Sequence, residues 1–182
     1  MVCIGDDLPF NLSKNWAWCR VKHISGVIQY GISNSAKMHG NCKLLRITDI
    51  QNNNVIWENV PYTTVSKNEA EQFALCNGDL LFARTGGTVG KSFLILDLKE
   101  ISVFASYLIR IQVLSVFVEY IKLFFESNYY WQQVIDNATG TGQPNVNGAK
   151  LGDLFLPLPP LDEQHRIVAI IKSIFETLNL LE

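Results

Sequence analysis

GDLLFARTGGTVGKSFLIL, residues 78–96, can be read in two ways. As a phosphate-binding loop, its Gly90-Lys91-Ser92 would open the helix of a nucleotide-binding α/β domain. Such a loop needs G-x-x-x-x-G-K-[ST]: the first glycine turns the chain out of a strand, and the helix that follows points its N-terminal amides at phosphate. Five positions before Gly90 stands Thr85, not glycine. After the lysine comes Ser92-Phe93-Leu94-Ile95-Leu96, a β-type run, so no helix dipole would face an anion. The stretch therefore reads as strand, glycine turn, strand, with Arg84 and Lys91 flanking a turn that needs positive φ or close backbone approach.

Runs rich in β-branched and aromatic residues recur on both sides of it, at 16–21, 43–50, 55–60, 79–84, 92–96 and 106–112. Clusters such as Asn52-Asn53-Asn54 and Gly86-Gly87 separate them, which is strand-and-turn punctuation. Ser66 with Glu69 three positions on is a capping box opening one short helix. Leu114, Phe117, Val118, Ile121, Phe124 and Phe125 recur at helical spacing, with Glu119, Lys122 and Glu126 between them, and predict one amphipathic helix over 114–136. Its aromatic stripe reads as core, because burying such side chains contributes about 1.5–3 kcal/mol each. NATGTGQPNVNGAK, residues 137–150, is polar and reads as an exposed loop.

In LGDLFLPLPPL, residues 151–161, the prolines Pro157, Pro159 and Pro160 forbid helix and suit an extended edge. A helix follows, its N-terminus complemented by Asp162 and Glu163. Ile167, Ile171, Ile174, Leu178 and Leu181 recur at spacings of 4, 3, 4 and 3, the period of a coiled-coil seam. About 21 residues make a rod of roughly 30 Å. A partner helix or the chain's own domain could cover its stripe. The expected fold is α+β: a β-rich body at 8–160 with a few packed helices, then a coiled-coil-type helix at 161–182.

At 182 residues the chain has room for one domain with a substantial core. Its 48% hydrophobic and 18% charged residues fit an ordinary globular protein, and no apolar run approaches the roughly 18 residues of a membrane span. No basic, then apolar, leader opens the sequence, so a cytoplasmic location is expected. Cys3, Cys19, Cys42 and Cys76 are too widely spaced for a C-x-x-C pair, and His23, His39 and His165 form no zinc-ligand set. The net charge of -2 hides an asymmetry. Residues 8–50 hold six Lys and Arg against one acid, Asp49, whereas residues 151–182 hold five acids against Arg166 and Lys172. A basic head can face DNA or form an ordinary solvated surface.

Enzyme readings find little support. Asp79 with Asp97 and Lys99 has the pieces of a nuclease metal site at loose spacing. Methyl transfer to a base amine would need Asn or Asp, then Pro-Pro and an aromatic; Leu158-Pro159-Pro160-Leu161 has only the prolines. No Ser-His-acid or Cys-His set stands out.

Taken together, separated signatures resemble the target recognition domain of the DNA specificity subunit of type I restriction-modification systems. They are Leu8-Pro9 with Asn15-Trp16-Ala17-Trp18-Cys19-Arg20-Val21, then Gly78-Asp79-Leu80-Leu81-Phe82-Ala83-Arg84-Thr85-Gly86 with Val89-Gly90-Lys91. The third is Leu156-Pro157-Leu158-Pro159-Pro160-Leu161-Asp162-Glu163-Gln164-His165-Arg166-Ile167. The resemblance implies a non-catalytic reader of double-stranded DNA, one half of a split target, with a helix that pairs antiparallel with a second to set the gap. It also implies docking of methyltransferase (modification) subunits, which carry S-adenosylmethionine, and of a restriction subunit that uses ATP and Mg; no cofactor is expected in this chain. That family's subunit usually has two recognition domains and two helices, whereas this chain has one of each. It looks like a half-subunit, an excised fragment or a truncated product, expected to form a homodimer or to pair with another specificity half through 167–181.

The residues suited to DNA contact are Arg46 and Thr48 at the end of LLRITDI, Arg84 and Thr85 at the glycine turn, and Lys91 for phosphate. Gln143 and Asn145 in the polar loop have amides suited to adenine edges, and Lys150 ends the same segment. Arg46 or Arg84 could instead form salt bridges to Asp49 or Asp79, and Gln143 and Asn145 could serve turn chemistry. A plain protein-interaction module built around the tail helix is the competing class. Titration of ATP into the chain is expected to give no saturable binding, and a measurable affinity would restore the phosphate-loop reading.

Overall fold

The computed structural model describes residues 10–139 and 144–180. The elements begin with β1 (Ala17–Arg20), α1 (Val21–Ile24), β2 (Ser25–Tyr30), β3 (Cys42–Leu45), β4 (Ile50–Gln51), β5 (Asn54–Val55) and β6 (Tyr62–Thr63). Then come α2 (Lys67–Phe73), β7 (Leu80–Ala83), β8 (Ser92–Leu94), β9 (Ser102–Phe104) and β10 (Leu108–Val113). The chain continues through α3 (Val118–Phe124), α4 (Asn128–Asn137), α5 (Gly148–Asp153), β11 (Phe155–Leu158) and α6 (Leu161–Asn179). Short 3-10 turns occupy Ile47–Asp49, Trp57–Asn59 and Gly86–Thr88. The α+β expectation holds.

A four-stranded antiparallel sheet, ordered β2-β10-β7-β8, forms the centre. A second sheet, β6-β3-β9, contains the parallel pair β3-β9, and β1-β11 and β4-β5 are separate antiparallel ribbons. Side chains alternate across a strand, so Leu80 and Phe82 of β7 enter one core with Tyr120, Ile121, Phe125 and Tyr130. Leu81 and Ala83 enter another with Leu45, Phe93, Phe104 and Leu108. Covering on both faces explains why LLFA is an unbroken apolar run.

The glycine turn forms as read. Leu80 pairs with Leu94 and Phe82 with Ser92, and the Ala83 amide donates to the Lys91 carbonyl at 2.8 Å. Gly86 and Gly90 take φ of 69° and 91°. A Cβ on Gly90 would lie 2.5 Å from the Trp131 ring, so α4 packs directly on this turn. The Ser66–Glu69 capping box is also present: the Ser66 hydroxyl accepts from the Glu69 amide at 3.2 Å, and Glu69 accepts from the Ser66 amide at 2.8 Å.

Other expectations need correction. The predicted helix at 114–136 is two helices, because the Ser127 hydroxyl accepts from the Tyr130 amide and starts α4 afresh. The runs at 43–50 and 55–60 give way to 3-10 turns partway along. Strand β2 and the short β9 carry too weak an alternation to be picked out. The polar segment after 137 is not all loop, since Val146 is fully buried and the Asn147 side chain caps α5.

Asp79 is 3% exposed and Arg110 6%. Arg110 donates to Asp79 at 3.4 Å and to the carbonyls of Ala74 at 2.5 Å and Gln72 at 3.1 Å, and also reaches Gln29. Gln112 and the Cys76 amide complete the Asp79 carboxylate at 2.8 and 3.0 Å. Asp79 is therefore a structural anion paired with Arg110, not with Arg84. Among the described residues no group of three or more His, Cys, Asp or Glu could hold a metal. Arg110→Ala would strand the buried carboxylate and should cost about 3–5 kcal/mol in urea unfolding. Arg110→Lys, which lacks the fork, should recover little.

Candidate nucleic-acid interface

The turn between β7 and β8 is stitched to the segment after 143. The Gly86 amide donates to the Pro144 carbonyl and the Val146 amide to the Arg84 carbonyl, both at 3.0 Å. Thr85 bridges Asn145, which in turn bridges Thr139. Arg84, Thr85 and Asn145 thus share one end of the central sheet; Gln143 lies outside the described residues. The Arg84 guanidinium lies 5.0 Å above the Tyr30 ring. The Tyr30 hydroxyl is held in turn, accepting from the Gly148 amide at 2.7 Å.

Arg84 stands outside the ion pairs of the described residues. Its Nε is buried with no hydrogen-bond partner. An aromatic face attracts a guanidinium without consuming its in-plane N–H groups. Arg46 is the opposite case. It donates through Nε and Nη2 to Asp49 at 3.0 and 2.7 Å, and its amide donates to the same carboxylate at 2.9 Å. The Asp49 hydrogen bond raises the Arg46 pKa above its ordinary value. This fork closes the 3-10 turn and leaves Thr48 exposed.

Thr48 and Lys91 meet around a hollow of about 200 Å³. Gln51, Thr88 and Ser92 also line it, over a floor that includes Leu81, Ala83, Phe93 and Leu108. Lys91 is exposed. Lys150 is spent locally: its ammonium donates to the Asn137 carbonyl at 2.8 Å, at the C-terminal end of α4. The basic head is likewise drawn down by the fold. Asp153 takes Lys22 at 2.6 Å and Arg20 at 3.8 Å, an arrangement that lowers the Asp153 pKa through the Lys22 hydrogen bond first. Lys43 is buried, donating to the Val60 carbonyl and lying over the Tyr62 ring. Burial pushes the Cys19 thiol up to about 11, which disfavours a thiolate there.

Residue-by-residue reading missed Tyr30, whose role depends on α5 and Arg84 arriving beside it. It also missed Tyr107, 57% exposed, whose carbonyl accepts from the Arg84 amide at 3.1 Å. An exposed aromatic beside a basic turn is a signal, but only after the two segments are placed together.

The helical stripe divides. Ile167 packs against the core and Ile171 is half-buried. Ile174 and Leu178 are each 52% exposed and Phe175 57%; Leu181 lies outside the described residues. The domain therefore covers the lower turns of the stripe, and the described upper turns stay open. Among the described residues no helix is long and apolar enough to cross a membrane.

The family model described as "Type I restriction modification DNA specificity domain" matches residues 20–182. The StySPI specificity subunit of Salmonella potsdam is 26% identical over 161 residues, covering 84% of this chain and 34% of that protein. The EcoAI specificity subunit of Escherichia coli is 25% identical over 191 residues, covering 97% and 31%. The chain spans about a third of the length of these curated relatives. The crystal structure of the HsdS subunit from Thermoanaerobacter tengcongensis superposes with a TM-score of 0.73 at 18% identity, over 95% of this chain and 40% of that one. With nearly the whole chain inside the family match, this protein belongs to the type I restriction modification DNA specificity domain family.

Proposed function

We propose that the chain is a non-catalytic, sequence-specific reader of double-stranded DNA that recognises one half of a bipartite target in a type I restriction-modification system. The observation that carries this reading is the Arg84 guanidinium, held over the Tyr30 ring at the end of the β7–β8 hairpin and engaged by no ion pair among the described residues. The two terminal Nη groups of such a fork suit the O6 and N7 acceptors of guanine in the major groove. Thr85 and Asn145 beside it add short polar groups for base edges, while exposed Lys91 and Thr48 suit phosphate and sugar contacts. Such contacts need few residues, which reconciles DNA reading with a net charge of -2.

In this proposal residues 8–160 recognise DNA and residues 161–182 act as the pairing and spacing helix. The open face at Ile174, Phe175 and Leu178 takes a second helix, from another copy or another specificity half. Methyltransferase subunits carrying S-adenosylmethionine and an ATP- and Mg-dependent restriction subunit dock on that frame, in the cytoplasm.

Fluorescence anisotropy with random duplex DNA at low salt, followed by a salt titration, tests the reading. Affinity should fall with a log–log slope of about -0.9 per phosphate neutralised. Lys91→Ala should weaken all sequences alike and reduce the slope by about 1. Arg84→Ala should relax preference at one base pair by about 1–3 kcal/mol, and Tyr30→Leu should do the same more mildly. Ile174→Lys should lower the sedimentation mass of any self-paired species. No salt-sensitive binding, even with methyltransferase subunits present, would overturn the proposal.

A further inference from the structure

We infer that Gln164, through a clamp between α3 and the root of α6, is a positioning residue that fixes the angle of the spacing helix to the DNA-reading domain. The inference rests on the proposed function for its consequence at DNA, but not for the clamp itself. Gln164 is 2% exposed, a rare place for an amide. Its Oε1 accepts from the Phe117 amide at 2.8 Å, at the N-cap of α3, and its Nε2 donates to the Pro159 carbonyl at 2.9 Å. One side chain therefore joins α6 to α3 and to the extended proline segment that delivers α6.

Contacts C-terminal to Gln164 act on the same pair of helices. The His165 ring lies 3.9 Å from the Phe117 ring, Val168 is buried in the core, and Lys172 pairs with Glu119 at 2.5 Å. Ser173 to Leu178 are all exposed. Helix α6 is thus a lever, held over its first three turns and bare beyond them. At 1.5 Å per residue it is about 28 Å long, so a 10° error at the root moves the tip by about 5 Å. That exceeds the 3.4 Å rise of one base pair, so the root angle governs which gap between half-sites a paired assembly can span.

Gln164→Met keeps length and bulk while removing both hydrogen bonds and leaving the Phe117 amide unpaired. In the wild-type chain, residual dipolar couplings of α6 amides should fit the alignment tensor of the central sheet; in Gln164→Met they should fall below the values that tensor requires. A second readout uses duplexes carrying two copies of the half-site the wild-type chain selects from random DNA, with spacers lengthened one base pair at a time. The wild type should prefer one spacer by about tenfold or more, and the variant by about twofold or less, with single half-site affinity unchanged. Simple loss of stability would lower binding at every spacer alike. If Gln164→Met fails to fold, the double variant His165→Ala, Lys172→Ala, at two exposed positions, should show the same loosening in weaker form. Couplings that still fit one tensor in the folded variant would overturn the clamp. If the wild type selects no half-site, the DNA-reading proposal falls and the couplings still decide the clamp.

Discussion

Strand β7 is buried on both faces and hydrogen-bonded on both edges, and the rest of the body is arranged to meet those demands. Leu80 and Phe82 require the helical layer of α3 and α4; Leu81 and Ala83 require the second sheet. Its backbone groups require β10 on one side and β8 on the other. Arg84 is the first residue past that frame, so its position is as rigid as the core beneath it. A side chain mounted in this way would lose little further entropy on contacting a ligand.

Charge follows neighbourhood more than composition. Arg110 is consumed by a buried carboxylate, Arg46 by a turn-closing one, and Arg20 and Lys22 by Asp153. Arg84 faces an aromatic ring, which holds the guanidinium without an ion pair among the described residues. The excess of positive charge in residues 8–50 therefore overstates what a polyanion would meet. The cations set around the hairpin end matter more than the total.

Local patterns were legible where short-range physics is decisive. A missing glycine at Thr85 ruled out the phosphate loop; Ser66 and Glu69 announced α2; three prolines held 157–160 extended before α6. The break at Ser127 escaped because the apolar spacing runs through it, and a hydroxyl cap competes with that spacing only locally. Candidate site residues were partly legible. Arg84, Thr85 and Asn145 do come together and Thr48 meets Lys91, whereas Lys150 and Arg46 are engaged within the fold.

The amino-acid sequence by itself determined the hairpin, the proline-delimited junction, the amphipathic tail and the family, because each rests on residues near one another in the chain or on a motif in order. Tertiary structure alone decided which arginine stays outside the described ion pairs, which turns of α6 stay uncovered, and why Gln164 is buried. Those outcomes depend on Tyr30, Asp49, Asp79 and Phe117, residues whose proximity comes only from packing two sheets and a helical layer around β7.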